Sequence, residues 1–157
     1  MAIEFFTSID CFMNRMLCLL LGLLSLLACR TTAYDPETYQ GKQLVFGSGG
    51  GITGAVTTFA LLPGGTLFRD APHDSSGFVL LAEVEAAAAR AAFKQARDLD
   101  GYQFDEPGNF YYFLAYRHKK TSYRLTWGRA GQAPPPEAQA LYDYLMAMVK
   151  AQTLPER

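Results

Sequence analysis

Thiols, imidazoles and net charge are all scarce in this chain. Its 157 residues include three cysteines, two histidines and one tryptophan, with 14 basic residues against 15 acidic ones. His73 and His118 lie far apart in sequence, and no His-x-x-x-His pair exists. A zinc site needs three or four suitably spaced ligands, so no metal site is expected and both histidines read as loop residues. Gly47-Ser48-Gly49 lacks the Gly-x-Ser-x-Gly spelling and the strand–turn–helix setting of an exposed nucleophile. Asp105 and Glu106 are adjacent, so their side chains diverge, whereas acid–base carboxylates must converge across a bond. Without a basic excess there is no electrostatic footprint for nucleic acid. No cofactor is implied, and the chain is not expected to be an enzyme.

The one long apolar run, residues 16–28, is too short to cross a bilayer, which takes roughly 20 apolar residues. It fits the apolar stretch of a secretory leader, about 7–15 residues long. Arg15 precedes it, but Glu4 and Asp10 are foreign to a positively charged leader, which points to a true start at Met13 or Met16. The run closes with Leu26-Leu27-Ala28-Cys29, which resembles the bacterial lipobox. That resemblance implies cleavage before Cys29 and acylation of its thiol; cleavage after Thr31-Thr32-Ala33 is the plainer alternative. Residues 1–28 are thus expected to be a signal peptide. Cys11 and Cys18 leave with the leader and Cys29 is consumed by lipid, so no disulfide can form. The leader also holds Arg15 against Glu4 and Asp10, so the remainder carries 13 residues of each sign. Arg30 stands where an aspartate would signal inner-membrane retention. The expected address is therefore the periplasmic face of the outer membrane.

Residues 29–41 read as a polar, lipidated tether and 42–152 as one globular domain. Within it, 43–46 and 55–62 carry strand composition, Pro63-Gly64-Gly65 is a turn, and 66–69 returns as a strand. Residues 78–81 fit a short strand or the lead into a helix. From Glu83 to about Leu99 the chain is helical, with Ala82, Ala86, Ala89, Phe93 and Ala96 on one face, ended by Asp100-Gly101. Asp105 to Asn109 reads as a turn cluster. Residues 110–116 and 122–127 form a second hairpin with its tip at Lys119-Lys120, which opposes Tyr116 to Tyr123, Leu114 to Leu125 and Tyr112 to Trp127 on the buried side. Pro136 starts a last helix to about Lys150, with Leu141, Leu145, Met148 and Val149 as its stripe and Tyr144 beside it. The expected fold is α+β, in the order ββαββα: an antiparallel sheet of two hairpins with both helices on one face.

The other side of the second hairpin carries Tyr111, Phe113, Arg117 and Arg124, residue types enriched at interfaces. Gly49-x-Gly51-x-x-Gly54 has the dinucleotide spelling but leads into a strand without βαβ context, so a bulged or exposed connection is the better reading. Trp127 is expected in the core.

The glycine segment up to Gly54, Pro107-Gly108-Asn109 before a tyrosine-rich strand, Thr126-Trp127-Gly128 and the final Leu-Tyr-x-x-Leu helix together resemble a group of small, uncharacterised bacterial lipoproteins, over about 43–150. The resemblance implies no activity. The expected function is a non-enzymatic, membrane-anchored binding or accessory domain. Its partner contacts would be Tyr111, Phe113, Arg117 and Arg124, or the loop of Gly49, Gly50 and Gly51. The alternatives are a proteinaceous inhibitor of an envelope hydrolase and an enzyme without a familiar motif.

Overall fold

The computed structural model describes residues 34–72, 77–119 and 121–153. The leader, Cys29, Arg30, His73 and Lys120 lie outside the described residues. Seven strands form one sheet: β1 (Gln43–Gly50), β2 (Val56–Leu61), β3 (Thr66–Asp70), β4 (Phe78–Glu83), β5 (Asp105–Glu106), β6 (Phe110–His118) and β7 (Thr121–Trp127). Helix α1 (Ala86–Asp98) follows β4, and α2 (Pro136–Thr153) ends the described chain. The strand order is β4-β3-β2-β1-β6-β7-β5. Every pairing is antiparallel except the two-residue parallel match of β5 with β7. The fold is α+β as expected, but the order ββαββα is not what forms.

Three differences account for this. The glycine segment separates two strands only from Gly51 on, because β1 continues through Gly50 and pairs along its length with both β2 and β6. Glycine is a poor strand former, so local composition pointed to a loop. The neighbouring strands reverse that preference: a Cβ at Gly47 would collide with the Thr57 carbonyl of β2 and press on the Phe113 ring, and one at Gly49 would press on the Tyr111 hydroxyl. Residues 78–83 enter the sheet as β4, and the helix therefore starts at Ala86 instead of Glu83. Asp105–Glu106, within the expected turn cluster, adds a short edge strand.

The hairpin of β6 and β7 has the expected register, with Tyr116 opposite Tyr123, Leu114 opposite Leu125 and Tyr112 opposite Trp127. These residues share the face covered by both helices. Leu44, Phe46, Leu61, Leu67, Leu114 and Leu125 are fully or almost fully buried there against Ala89, Ala92, Phe93 and Ala96 of α1 and Leu141, Tyr142 and Leu145 of α2. Each such large side chain contributes about 1.5–3 kcal/mol of transfer free energy. The alanines let α1 lie close to the sheet. The Leu99 and Asp100 amides close α1's last turn by donating to the Ala96 and Arg97 carbonyls, and Gly101 beyond them takes the expected left-handed φ of 90°. In α2 the tyrosine turned inward is Tyr142; Tyr144 faces solvent.

A second, smaller core lies on the opposite face. Val45, Ala60, Phe113 and Ala115 are buried there under Tyr34, with Phe68, Phe78 and Tyr111 around them. The Tyr34 ring stacks on Phe68 at 4.2 Å and meets Phe78 edge-on at 5.6 Å. The tether expected over 29–41 is therefore part of the packed body from Tyr34 onward. Phe113, only 2% exposed, is core in this arrangement. Phe113→Ala is expected to lower unfolding free energy by about 3–5 kcal/mol. Tyr111→Ala, at a half-buried position, is expected to cost clearly less, and urea denaturation of the two variants side by side checks the ranking.

Candidate functional site

The four side chains expected to form a contact surface on the outer sheet face are not an open patch. Phe113 is buried, and Arg124 lies over its ring with the guanidinium carbon 4.2 Å from the centroid, a cation–π geometry. Tyr111 is half-buried beside it, with ring centroids 6.4 Å apart. Arg117 is turned away to the chain entering the domain, pairing with Glu37 at 2.7 Å and donating to the Pro36 carbonyl at 3.4 Å. Phe113 therefore cannot serve as a contact residue, and Arg117 has a structural task.

That task belongs to a clasp the sequence did not reveal. Gln43 is 1% exposed at the start of β1. Its carbonyl oxygen accepts the Tyr34 hydroxyl, while its amide donates to the Pro36 carbonyl at 2.7 Å. A buried amide is costly unless satisfied, and here both ends of Gln43 are met by the segment that covers it. The polar composition of residues 34–41 gave no signal of this, because its hydrogen bonds are made to the fold and not within the segment.

The other end of β1 and β6 is built differently. Seven strand steps separate Gln43 from Gly50, about 23 Å at 3.3 Å per step. Here the glycine segment, Pro107-Gly108-Asn109 and Trp127-Gly128 converge. The Gly51 amide donates to the Asn109 carbonyl at 2.8 Å. Gly50, at φ 106°, has its α-carbon so close to that carbonyl that no side chain fits. Gly128, at φ 149°, lies equally close to the Phe110 carbonyl. The turn from Gly51 to Ala55 is closed by Gly50 donating to the Ala55 carbonyl at 3.2 Å and Gly54 to the Gly51 carbonyl at 3.2 Å. Three separate backbone segments thus brace one another, and only glycine allows the approach.

On this braced tip Ile52 is fully exposed and Phe110 is 67% exposed. Tyr112, Trp127 and Tyr142 support the tip from the helix side as a cluster of rings with centroids 5.2 to 6.2 Å apart. Trp127 is buried, as expected. Of the expected site residues, Gly49 and Gly50 lie in β1 itself and Gly51 opens the turn, next to the exposed Ile52. Sequence reasoning named the loop but not Ile52 or Phe110, although an isoleucine within a glycine run was a usable signal.

No family model matches the chain, and no curated protein matches it in sequence.

Among the described residues no group of three or more His, Cys, Asp or Glu side chains converges as a metal site would require. Glu106 pairs with Arg129 at 2.8 Å. Two open surface depressions border the hairpin. One lies between residues 100–105 and β7, and the other sits beside the Tyr34–Gly41 clasp. No helix among the described residues is long and apolar enough to cross a membrane.

Burial pushes the Tyr142 hydroxyl from 10.0 up to about 12, with Tyr112 and Asp143 adding to the rise and a hydrogen bond with Ser48 opposing it. Burial likewise raises the hydroxyls of Tyr34 and Tyr123. The fold holds these phenols neutral, so the unfolded chain loses its phenolic protons first. Their stabilisation is complete below about pH 10 and is lost as pH climbs toward 12 and beyond. Tyr142→Phe is expected to flatten part of the alkaline fall in stability between pH 10 and 12, read by urea denaturation at stepped pH.

Proposed function

We propose that this protein is a lipid-anchored accessory domain of the bacterial cell envelope, acylated at Cys29 and binding a protein partner without catalysing a reaction. Leader, apolar run and lipobox-like ending support the anchor, and Arg30 supports the periplasmic face of the outer membrane. The likeness to small bacterial lipoproteins points the same way.

The observation that carries the binding role is the exposure of Ile52 and Phe110 on the braced tip, where they are the two most exposed large apolar side chains among the described residues. Rigid apolar anchors are what binding hot spots use. The support lowers the ordering cost on association, because the turn is already fixed by backbone hydrogen bonds. The tip lies at the opposite end of β1 from the clasp where the described chain begins, so an anchored domain would hold it out from the membrane. Tyr111, next to Phe110 in β6 and opposite Gly49, fits the rim of such a contact.

A second reading, a proteinaceous inhibitor of an envelope hydrolase, is favoured by one feature. Ile52 projects from a narrow turn, a shape that enters a cleft as readily as it meets a flat surface.

Two experiments test the proposal. Cys29→Ser is expected to move the chain from the membrane fraction to the soluble periplasmic fraction and to remove the acyl mass from the mature protein. Retention in the membrane with no acyl mass on the wild type would overturn the anchor. Crosslinking in native envelopes is expected to capture one partner, and Ile52→Ser with Phe110→Ser to lose it, while the thermal midpoint stays within a few degrees because neither side chain is core. Undiminished capture by that double variant would remove the tip from the interface.

A further inference from the structure

The anchored end of the sheet carries a polar depression of about 230 Å³, between the clasp and the β6–β7 hairpin. Arg117, His118 and Lys119 line one side of it, Gln40 and Ser122 add neutral hydrogen-bonding groups, and Glu37 is the single carboxylate in its wall among the described residues. That carboxylate is already taken by Arg117 at 2.7 Å, and the guanidinium is further held by the Pro36 carbonyl. Lys119 stands at the hairpin tip in the left-handed region, at φ 53°, exposed and paired with no carboxylate among the described residues. The depression is thus lined by one cation held in place and one unpaired, with hydroxyl and amide donors beside them.

We infer that this depression receives the phosphate of an anionic phospholipid headgroup in the membrane that holds the chain. The inference rests on acylation of Cys29. Five residue steps separate Cys29 from Tyr34, which even fully extended span at most about 18 Å. Tyr34 is fixed against Phe68 and Gln43, and Pro36, two residues on, already lines the depression. A link of five residue steps therefore keeps this site within reach of the headgroup layer. Phosphate oxygens accept charge-assisted hydrogen bonds from ammonium and guanidinium groups, and the hydroxyl and amide complete the donor set. Each basic residue close to an anionic surface strengthens binding about fivefold. The occupant fits the apolar character of the far tip as well, since a domain seated by its polar end presents Ile52 and Phe110 away from the bilayer.

The acylated mature protein, reconstituted into vesicles of phosphatidylcholine alone or with a quarter phosphatidylglycerol, gives the test. A membrane-impermeant amine reagent labels its lysines, and peptide mass spectrometry reads the rate at each. Lys119 is expected to label about fivefold more slowly with phosphatidylglycerol present, and to recover at high salt. Lys94 on α1 and Lys150 on α2, both exposed, are expected to be unchanged. Equal Lys119 rates in the two vesicles, or equal slowing at all three lysines, would overturn the headgroup site while leaving the anchor intact. Protection of Lys119 by millimolar inorganic phosphate over phosphatidylcholine alone would show an ion site and overturn lipid as its ligand. An intact mass without acyl chains on Cys29 would overturn the anchor, and with it this inference.

Discussion

Strand β1 pairs on both edges, with β2 and with β6, and is packed on both faces. On the helix side Leu44 and Phe46 carry the main core. On the other side the strand must present little bulk at 47 and 49, because the Thr57 carbonyl and the Phe113 ring crowd the first position and the Tyr111 ring the second. The arrangement makes a glycine-rich stretch, weak as a strand by itself, the centre of a seven-stranded sheet. With no thiol expected in the mature chain, this two-sided packing is what can hold the fold.

The outer face shows why the clasp matters. The helices cover only one side, and the residues left on the other, Val45, Ala60, Phe113 and Ala115, are too apolar to stay wet. Tyr34 supplies part of the cover, yet a single ring tied to a short segment would be easily displaced. Gln43 prevents this by tying the Tyr34 hydroxyl and the Pro36 carbonyl to the same buried side chain. Losing the clasp would therefore cost twice, exposing apolar surface and leaving a buried amide unsatisfied.

Periodicity made some of this legible and left the rest hidden. The register of the β6–β7 hairpin followed from alternation alone, because one shifted residue would have turned Trp127 and Leu125 to solvent. The alanine helix and the Pro136 start were equally plain, being local propensities that the tertiary structure does not oppose. What stayed hidden depended on partners distant in sequence. Gly47 and Gly49 are fitted to the strand by partners outside it: the Thr57 carbonyl of β2 and rings more than sixty positions away. Phe113 read as a surface residue because nothing in its own hairpin predicts Tyr34 and Val45 against it. The tip was visible only in pieces, as three glycine motifs, since their meeting depends on β1 lying beside β6.

That meeting bears on how the two ends of the domain divide their work. Glycines at 50 and 128 let carbonyl groups approach where a Cβ would block them, and the resulting turn is held by main-chain bonds that place no demand on its side chains. Ile52 is therefore free of any role in folding, which is the condition under which an exposed apolar residue can be kept for contact. Arg117, at the other end, is the opposite case: its charge is spent on Glu37 and the Pro36 carbonyl, so it steadies the clasp and leaves Lys119 as the cation turned outward. Separating an apolar, braced tip from a polar, clasped base gives the domain two chemically distinct surfaces at opposite ends of β1.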